Sequence, residues 1–361
     1  MANNRILFTF IGQPVIPSKR PAFSETTFIR DGKPNTAMTA RFGIRDGNNC
    51  MFVDGFDSPA AIINSLNDKM ERVEIDWDSR FDPDVLSHTP SFRKYYVNLN
   101  DDRREFLTQF DMMNHLKEVL PEFTNDIVVS GELRITPNRK NPGGFYYSYS
   151  FNSVRAAKPD ESRKFTITAD LYYNKNSLDK TDVKSTGKYF LNAYTPVYIS
   201  SEESVKYIPF NAAFNVACYN LSDEMHKKIY NFKTGLLDIR QSNMQHLMWE
   251  IRCINGAEEI PFDESMLTPL QKLQIEIGER TLEDFRPRRP VVGESVTEFR
   301  LFTPVLKNEF DKGLVDSGMT ESEFEQNVYS PVQEEFMDSS GKISSEAQAL
   351  EREASLHDSL F

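Results

Sequence analysis

Short runs of alternating apolar and polar residues, separated by turn signals, constrain the fold of this chain most strongly. The clearest run is 127–136, where every second residue from Ile127 to Ile135 is apolar or glycine. A period of two predicts a half-buried β-strand. Further strand-like runs of the first half lie at residues 5–16, 26–30, 39–45, 50–53 and 145–155. The sequence therefore predicts a β-rich fold.

Turn and helix signals interrupt these runs. Asp46-Gly47-Asn48-Asn49 predicts a hairpin, because Gly and Asn accept positive φ. Ser58-Pro59 predicts a helix to Glu71, and a second helix is expected over 101–120, ended by Pro121. Several strands with a helix before the last pair are typical of a small β-barrel of the OB type.

The second half of the chain repeats this order of elements after a charged stretch at 157–163. Strands are expected at 164–173, 188–199, 205–216 and 297–305, and helices at 223–232, 239–252 and 268–285. The fold class expected is β-rich α+β with two OB-like small β-barrel domains and inserted helices. The expected divisions are an OB-like nucleic-acid-binding domain at 1–157, a second β-rich, OB-like domain at 158–307 and an acidic flexible C-terminal tail at 308–361.

Acidic residues concentrate in that C-terminal segment. Residues 308–361 contain thirteen Asp and Glu against three Lys and Arg, a net charge of −10 within the whole-chain total of −12. Such a segment has too few regularly spaced apolar residues to offset the entropy of ordering. It is either a solvated terminus without a role or a tail that binds a partner electrostatically.

The composition favours a protein of a reducing, aqueous compartment. No run approaches the roughly 18 uninterrupted apolar residues of a membrane span, and residues 1–5 show no signal-peptide features. Cys50, Cys218 and Cys253 are odd in number and widely spaced, which argues against a disulfide scaffold. We expect a cytoplasmic location and no membrane partner.

No set of residues predicts catalysis. The five histidines form no HExxH motif and no zinc-binding pair with cysteine, and phosphate-binding glycine motifs are absent. Four aspartates between Asp76 and Asp84 could hold a hard cation or form a solvated acidic loop. We expect a protein without catalytic residues, metal or cofactor.

Aromatic residues make up 12% of the chain, and many lie beside Arg or Lys. Unpaired bases stack on aromatic rings with about 1–3 kcal/mol per base, and neighbouring cations neutralise phosphates. Each ring taken singly can equally be a core residue. Together the aromatic and basic residues predict an interface for single-stranded DNA formed by Lys19, Arg20, Arg41, Phe42, Arg45, Arg93, Lys94, Tyr95, Arg134, Arg139, Lys140, Tyr146, Tyr147, Tyr149 and Arg155.

A β-rich body, an acidic tail and a terminal Phe361 preceded by Asp358 resemble the single-stranded DNA-binding proteins of bacteria and their phages. The resemblance implies a protein that coats and protects exposed strand during phage-type DNA replication and recombination in the bacterial host cytoplasm. It also implies that Asp358 and Phe361 contact replication and recombination proteins. A phage structural or assembly protein is the alternative, and self-association is left open.

Overall fold

The computed structural model describes residues 5–30, 33–100, 102–138, 144–199, 203–259, 262–287, 292–306 and 313–330. The described residues within 5–136 and 146–329 form one compact unit, and those within 137–145, together with Ser330, belong to a second. Strands predominate over helices, so the predicted β-rich fold is confirmed. No helix of the described part is long and apolar enough to cross a membrane.

The strands and helices follow one another in two similar series. The strands are β1 (Ile6–Val15), β2 (Phe23–Arg30), β3 (Lys33–Asp46), β4 (Asn49–Asp57), β5 (Ile62–Leu66), β6 (Arg72–Asp76), β7 (Tyr95–Leu99), β8 (Asp102–Phe106), β9 (Ile127–Pro137), β10 (Phe145–Ala156), β11 (Lys164–Tyr173), β12 (Leu178–Asp179), β13 (Lys188–Ile199), β14 (Ser204–Asn215), β15 (Gln245–Glu259), β16 (Val292–Pro304) and β17 (Val315–Asp316). The helices are α1 (Pro83–His88), α2 (Gln109–Val119), α3 (Val183–Thr186), α4 (Glu224–Leu237), α5 (Pro269–Glu276) and α6 (Glu321–Glu325).

Five strands of the first half are hydrogen-bonded in a closed circuit, which we call the first ring. Its strands β1, β3 and β4 pair antiparallel in that order. β4 meets β10 in parallel at Asp54 and Ser150, β10 neighbours β9, and β9 returns antiparallel to β1. Helix α2 lies between β4 and β9 in the chain and buries Met112, Met113 and Leu116 completely.

A second ring in the latter half repeats this connectivity. Its strands β11, β13 and β14 pair antiparallel in that order. β14 meets β16 in parallel at Ala213 and Arg300, β16 pairs with β15, and β15 returns antiparallel to β11. Helix α4 lies between β14 and β15 in the chain, and the Tyr173 hydroxyl donates to the Leu236 carbonyl at 3.1 Å.

The two rings are joined through their first strands. β1 and β11 pair antiparallel from Leu7 opposite Thr168 to Ile11 opposite Lys164. All strands of the first ring precede residue 157 and all strands of the second follow it. The predicted domain boundary at 157/158 stays a prediction, and a boundary there would lie between strands of one continuous sheet.

Two asparagine side chains also link the rings. The Asn255 backbone N–H donates to Asn49 Oδ1 at 2.7 Å, and Asn255 Nδ2 donates to the Cys50 carbonyl at 2.8 Å. At Gly256 a Cβ would lie 2.1 Å from the Asn48 carbonyl oxygen. Only glycine permits this close approach of two backbones.

Two predicted helices are wrong. The stretch 58–71 contains no helix, because β5 and β6 form a hairpin in which Asn67 Oδ1 accepts from the backbone N–H groups of Lys69 and Glu71. Such side-chain turns compete with helix formation. The stretch 239–252 contains the start of β15, whose alternate residues from Leu247 to Cys253 are buried. Here strand pairing prevails over helix propensity.

Other predicted elements have the correct type with different bounds. The helix expected over 101–120 begins at Gln109 after β8, where Thr108 Oγ1 accepts from the Asp111 backbone N–H at 3.1 Å. The helix expected over 268–285 ends at Glu276. The strand expected over 127–136 and the 46–49 hairpin are confirmed.

Part of the predicted flexible tail is folded. Between residues 313 and 330 the chain pairs β17 with β15 and buries Phe324, which is 2% exposed. The Phe324 ring centroid lies 4.4 Å from that of Tyr207 and 5.1 Å from that of Tyr194. The predicted acidic tail at 308–361 therefore includes a segment that packs through Phe324, and the boundary at 308 stays a prediction. Residues 331–361 lie outside the described residues.

We expect Phe324→Ala to release the 313–330 segment from the second ring. Truncation of a buried Phe costs about 3–5 kcal/mol, which weakens the packing that holds this segment against the second ring. Hydrogen exchange should then be faster at residues 313–330 and unchanged in the first ring. Glu325→Ala, an exposed neighbour on α6, serves as the control, and unchanged exchange in Phe324→Ala would contradict the packing described.

Candidate functional site

The outward surface of β3 and β4 combines aromatic and basic side chains. Phe42 and Val53 point inward and are 0% exposed, so their neighbours in sequence point outward. Phe56 is 49% exposed at the end of β4. The outward residues Arg41, Arg45, Phe52 and Phe56 define what we call the β3–β4 face.

The charges of this face are only partly compensated. Arg41 Nη1 lies 3.2 Å from Asp54 Oδ1, and its guanidinium carbon lies 5.5 Å from the Phe52 ring centroid. Arg45 is exposed opposite Cys50, and within the described ranges no carboxylate pairs with it. Burial raises the pKa of the Cys50 thiol, and the charge of Arg45 opposes that rise. The face therefore presents one compensated and one available guanidinium.

Two further predicted cations lie beside the β3–β4 face. The Arg41 backbone N–H donates to the Ala22 carbonyl at 2.7 Å, which places the segment before β2 next to β3. Lys19 and Arg20 lie in that segment, and both are exposed. The structure thus brings Lys19, Arg20 and Arg41 to one part of the surface.

A second group forms around Tyr95. Burial raises the pKa of Tyr95, the charge of Asp57 adds to the rise, and the charges of Arg134 and Arg93 oppose it. The Arg93 guanidinium carbon lies 5.9 Å from the ring centroid of exposed Phe92. The charges of two predicted cations, Arg93 and Arg134, thus act on the predicted Tyr95, which is half-buried.

Two predicted stacking residues are in the core, which corrects that expectation. Phe42 packs against Phe151 with ring centroids 5.3 Å apart. Tyr149 lies against Phe10 at 4.8 Å, and its hydroxyl contacts Cys253 Sγ at 3.7 Å. Burial raises the pKa of Tyr149 well above its ordinary value. Neither ring can reach a ligand on the surface.

Two predicted cations are occupied by structural ion pairs. Lys94 Nζ donates to Glu105 at 2.7 Å and to the Leu86 carbonyl at 2.8 Å. Arg155 forms a fork with both carboxylate oxygens of Glu161 at 2.7 and 2.5 Å, and hydrogen bonds from Arg155 lower the pKa of Glu161 to about 2. Their positive charges are taken up within the protein.

The remaining predicted residues fall into two sets. Tyr146 is half-buried, and Tyr147 is 37% exposed with its ring 6.0 Å from that of Phe299. Arg139, Lys140, Asp358 and Phe361 lie outside the described residues.

Sequence reasoning missed Phe52 and Phe56. The alternation of Met51, Val53 and Gly55 with these two rings was a usable signal, because it puts Phe52 and Phe56 on the face opposite the core. No group of three His, Cys, Asp or Glu side chains in the described ranges is arranged to hold a metal ion. Outward-facing rings beside guanidinium groups on an open sheet surface suit planar, anionic ligands.

Comparisons with known proteins add little to this geometry. No protein-family model matches the chain, and no curated protein matches it. Among solved structures it is similar to a deletion mutant of the single-stranded DNA binding protein from Thermus aquaticus, with 10% identity, a TM-score of 0.29, and coverage of 70% of this chain and 87% of that chain. That TM-score is too low to establish a shared fold or function.

The core position of Phe42 and the surface position of Arg45 predict a large and a small effect, respectively, on the free energy of unfolding. We expect Phe42→Ala to lower the free energy of unfolding by about 3–5 kcal/mol through the cavity it leaves. Arg45→Ala should change it by less than about 0.5 kcal/mol. Urea denaturation of both variants measures the difference. Equal stability of the two would contradict the inward orientation of Phe42.

Proposed function

We propose that the protein binds single-stranded DNA across the β3–β4 face and coats exposed strand. The observation that carries the proposal is the pairing of exposed Phe56 and half-buried Phe52 with Arg41 and Arg45 on one open sheet surface. Stacking on such rings contributes about 1–3 kcal/mol per base, whatever the base. The arginines neutralise phosphates and release counterions.

The connectivity of the first ring supports the same assignment. It has three antiparallel strands, a helix, and two further strands, with the last strand parallel to the third. We infer that both rings are OB-like barrels, since this is the order of an OB fold. In OB domains the second and third strands and the adjoining loops bind oligonucleotides. β3 and β4 are the second and third strands of the first ring, and Lys19 and Arg20 lie in the loop after its first strand.

A duplex is a less suitable ligand than a single strand. Reading a duplex requires an element that enters a groove and a strong basic excess. The chain has a net charge of −12, and the face is formed by strands with flat aromatic rings. Local cations beside π-faces suit unpaired bases. Catalysis is not part of the proposal.

The biological setting remains part of the proposal. We infer a role in phage-type DNA replication and recombination in the host cytoplasm. Residues 331–361 contain seven acidic and two basic residues and end in Phe361. They are proposed to contact replication and recombination proteins, with Asp358 and Phe361 as contact residues. Arg139 and Lys140 are proposed DNA contacts by their sequence position alone.

We expect Phe56→Ala and Arg45→Ala to weaken binding of fluorescein-labelled oligo-dT. The loss of one stacked base should weaken affinity about 5- to 150-fold. The loss of one phosphate contact should reduce the slope of log affinity against log salt by about 0.7. Fluorescence anisotropy at several salt concentrations measures both. Phe81→Ala, 53% exposed and outside both rings, is the matched control. Wild-type affinity and salt slope in both test variants would refute the proposed face.

We further expect a chain ending at Ser330 to bind oligo-dT more tightly than the full chain. Removal of residues 331–361 deletes a net charge of −5, which repels phosphates and attracts the cations of the β3–β4 face. The gain should shrink as salt rises, because the interaction is screened. A full-length variant with the seven acids changed to amides should reproduce the gain. Equal affinity of all three chains would rule out electrostatic competition by this segment.

A further inference from the structure

A second group of cations and rings lies on the second ring, outside every residue predicted from the sequence. Arg252 projects from β15 and Phe302 from β16, and both are exposed. Lys233 comes from helix α4, and Tyr219 precedes that helix. We call Tyr219, Lys233, Arg252 and Phe302 the β15–α4 cluster.

The cluster is held together by stacking and one hydrogen bond. The Arg252 guanidinium carbon lies 3.9 Å from the Phe302 ring centroid. Lys233 Nζ lies 5.4 Å from the Phe302 centroid and 5.9 Å from the Tyr219 centroid. Lys233 also donates to the Phe302 carbonyl. Strand pairing, the α4 helix and ring contacts thus hold two cations close to one aromatic residue.

The neighbouring carboxylate of Glu298 already pairs with other cations. Glu298 accepts from Lys188 Nζ with both oxygens at 2.8 Å and also pairs with Arg300. These hydrogen bonds lower the pKa of Glu298 although its burial opposes them. Among the described residues neither Lys233 nor Arg252 has a carboxylate within ion-pair distance. The cluster therefore carries uncompensated positive charge.

The two cations also repel one another. Burial lowers the pKa of Lys233, and the charge of Arg252 lowers it further. Cys218 lies close enough that Lys233, Arg300 and Arg252 all act on its thiol. Like charges held together by the fold are stabilised when an anion binds between them. Phe302, 37% exposed, leaves an aromatic surface beside that position.

We propose that the β15–α4 cluster is a second contact site for single-stranded DNA, in which Lys233 and Arg252 bind the phosphodiester backbone and Phe302 lies against a base. This inference rests on the proposed function of the first ring. Arg252 stacked on Phe302 keeps its guanidinium plane fixed, so that its outer N–H groups remain available to phosphate oxygens. One strand then contacts both rings.

The test uses the full chain and two lengths of oligo-dT. One OB domain binds about 4–16 nucleotides, so an oligomer of about 8 nucleotides reports the first ring and one of about 32 reaches both. In Lys233→Gln/Arg252→Gln we expect the slope of log affinity against log salt to fall by about 1.4 with the longer strand. The shorter strand should bind as it does to the wild type. Lys227→Gln/Lys228→Gln removes the same charge from exposed positions of α4 and should leave both unchanged.

The outcomes separate the two proposals. If the wild type binds both strands and the Lys233/Arg252 variant behaves like it with each, the second site is refuted while the β3–β4 face stands. If the slope of log affinity against log salt falls as much in the control variant as in the test variant, the effect comes from the overall charge of the protein. The second site is then refuted as well. If the wild type binds neither strand, the proposed function fails, and this inference fails with it.

Cys218 provides a second readout in the same place. Its thiol is exposed beside the cluster, whereas Cys253 is buried. In a Cys50→Ser background, we expect the longer oligo-dT to slow alkylation of Cys218 by a maleimide dye at least severalfold, and the shorter one to leave it unchanged. Equal alkylation with and without the longer strand, under conditions in which it is bound, would overturn the second site.

Discussion

Pairing of the two first strands, β1 and β11, is the constraint on which the architecture depends. β1 bonds to β11 along one stretch and to β9 and β3 within its own ring, while β11 also bonds to β15 and β13. Phe10 and Phe165 pack across this pairing with centroids 5.5 Å apart. Because the first strands pair with each other between the rings, the second and third strands of each ring keep an outward surface.

Net charge is a poor guide to what such a surface can bind. Glu161, Glu105 and Glu298 each neutralise cations locally, so that a chain of net charge −12 still presents Arg45 and Arg252 without a carboxylate partner in its described part. Which cations have a carboxylate partner, rather than the net charge of the chain, determines where a polyanion can bind.

Local sequence signals predicted much of the fold. Predicting the site also required knowing which residues of each strand point outward. The 46–49 turn and the 127–137 strand follow from turn chemistry and a period of two. Residues 245–252 of the predicted 239–252 helix are instead a strand that pairs with β11. Arg41 and Phe42 are adjacent and so point to opposite faces; grouping them as one contact was the error. The β15–α4 cluster joins residues far apart in sequence, so only the tertiary structure reveals it.

The asparagine link between the rings has a consequence for the chemical ageing of the protein. Asn255 precedes Gly256, and asparagine before glycine is the dipeptide most prone to deamidation. Conversion to aspartate would replace the amide nitrogen that donates to the Cys50 carbonyl with a charged oxygen facing that carbonyl. The same hydrogen bonds that join the rings hold this side chain away from attack by the next backbone nitrogen. Loosening of this asparagine link and loss of the amide would therefore promote each other during storage.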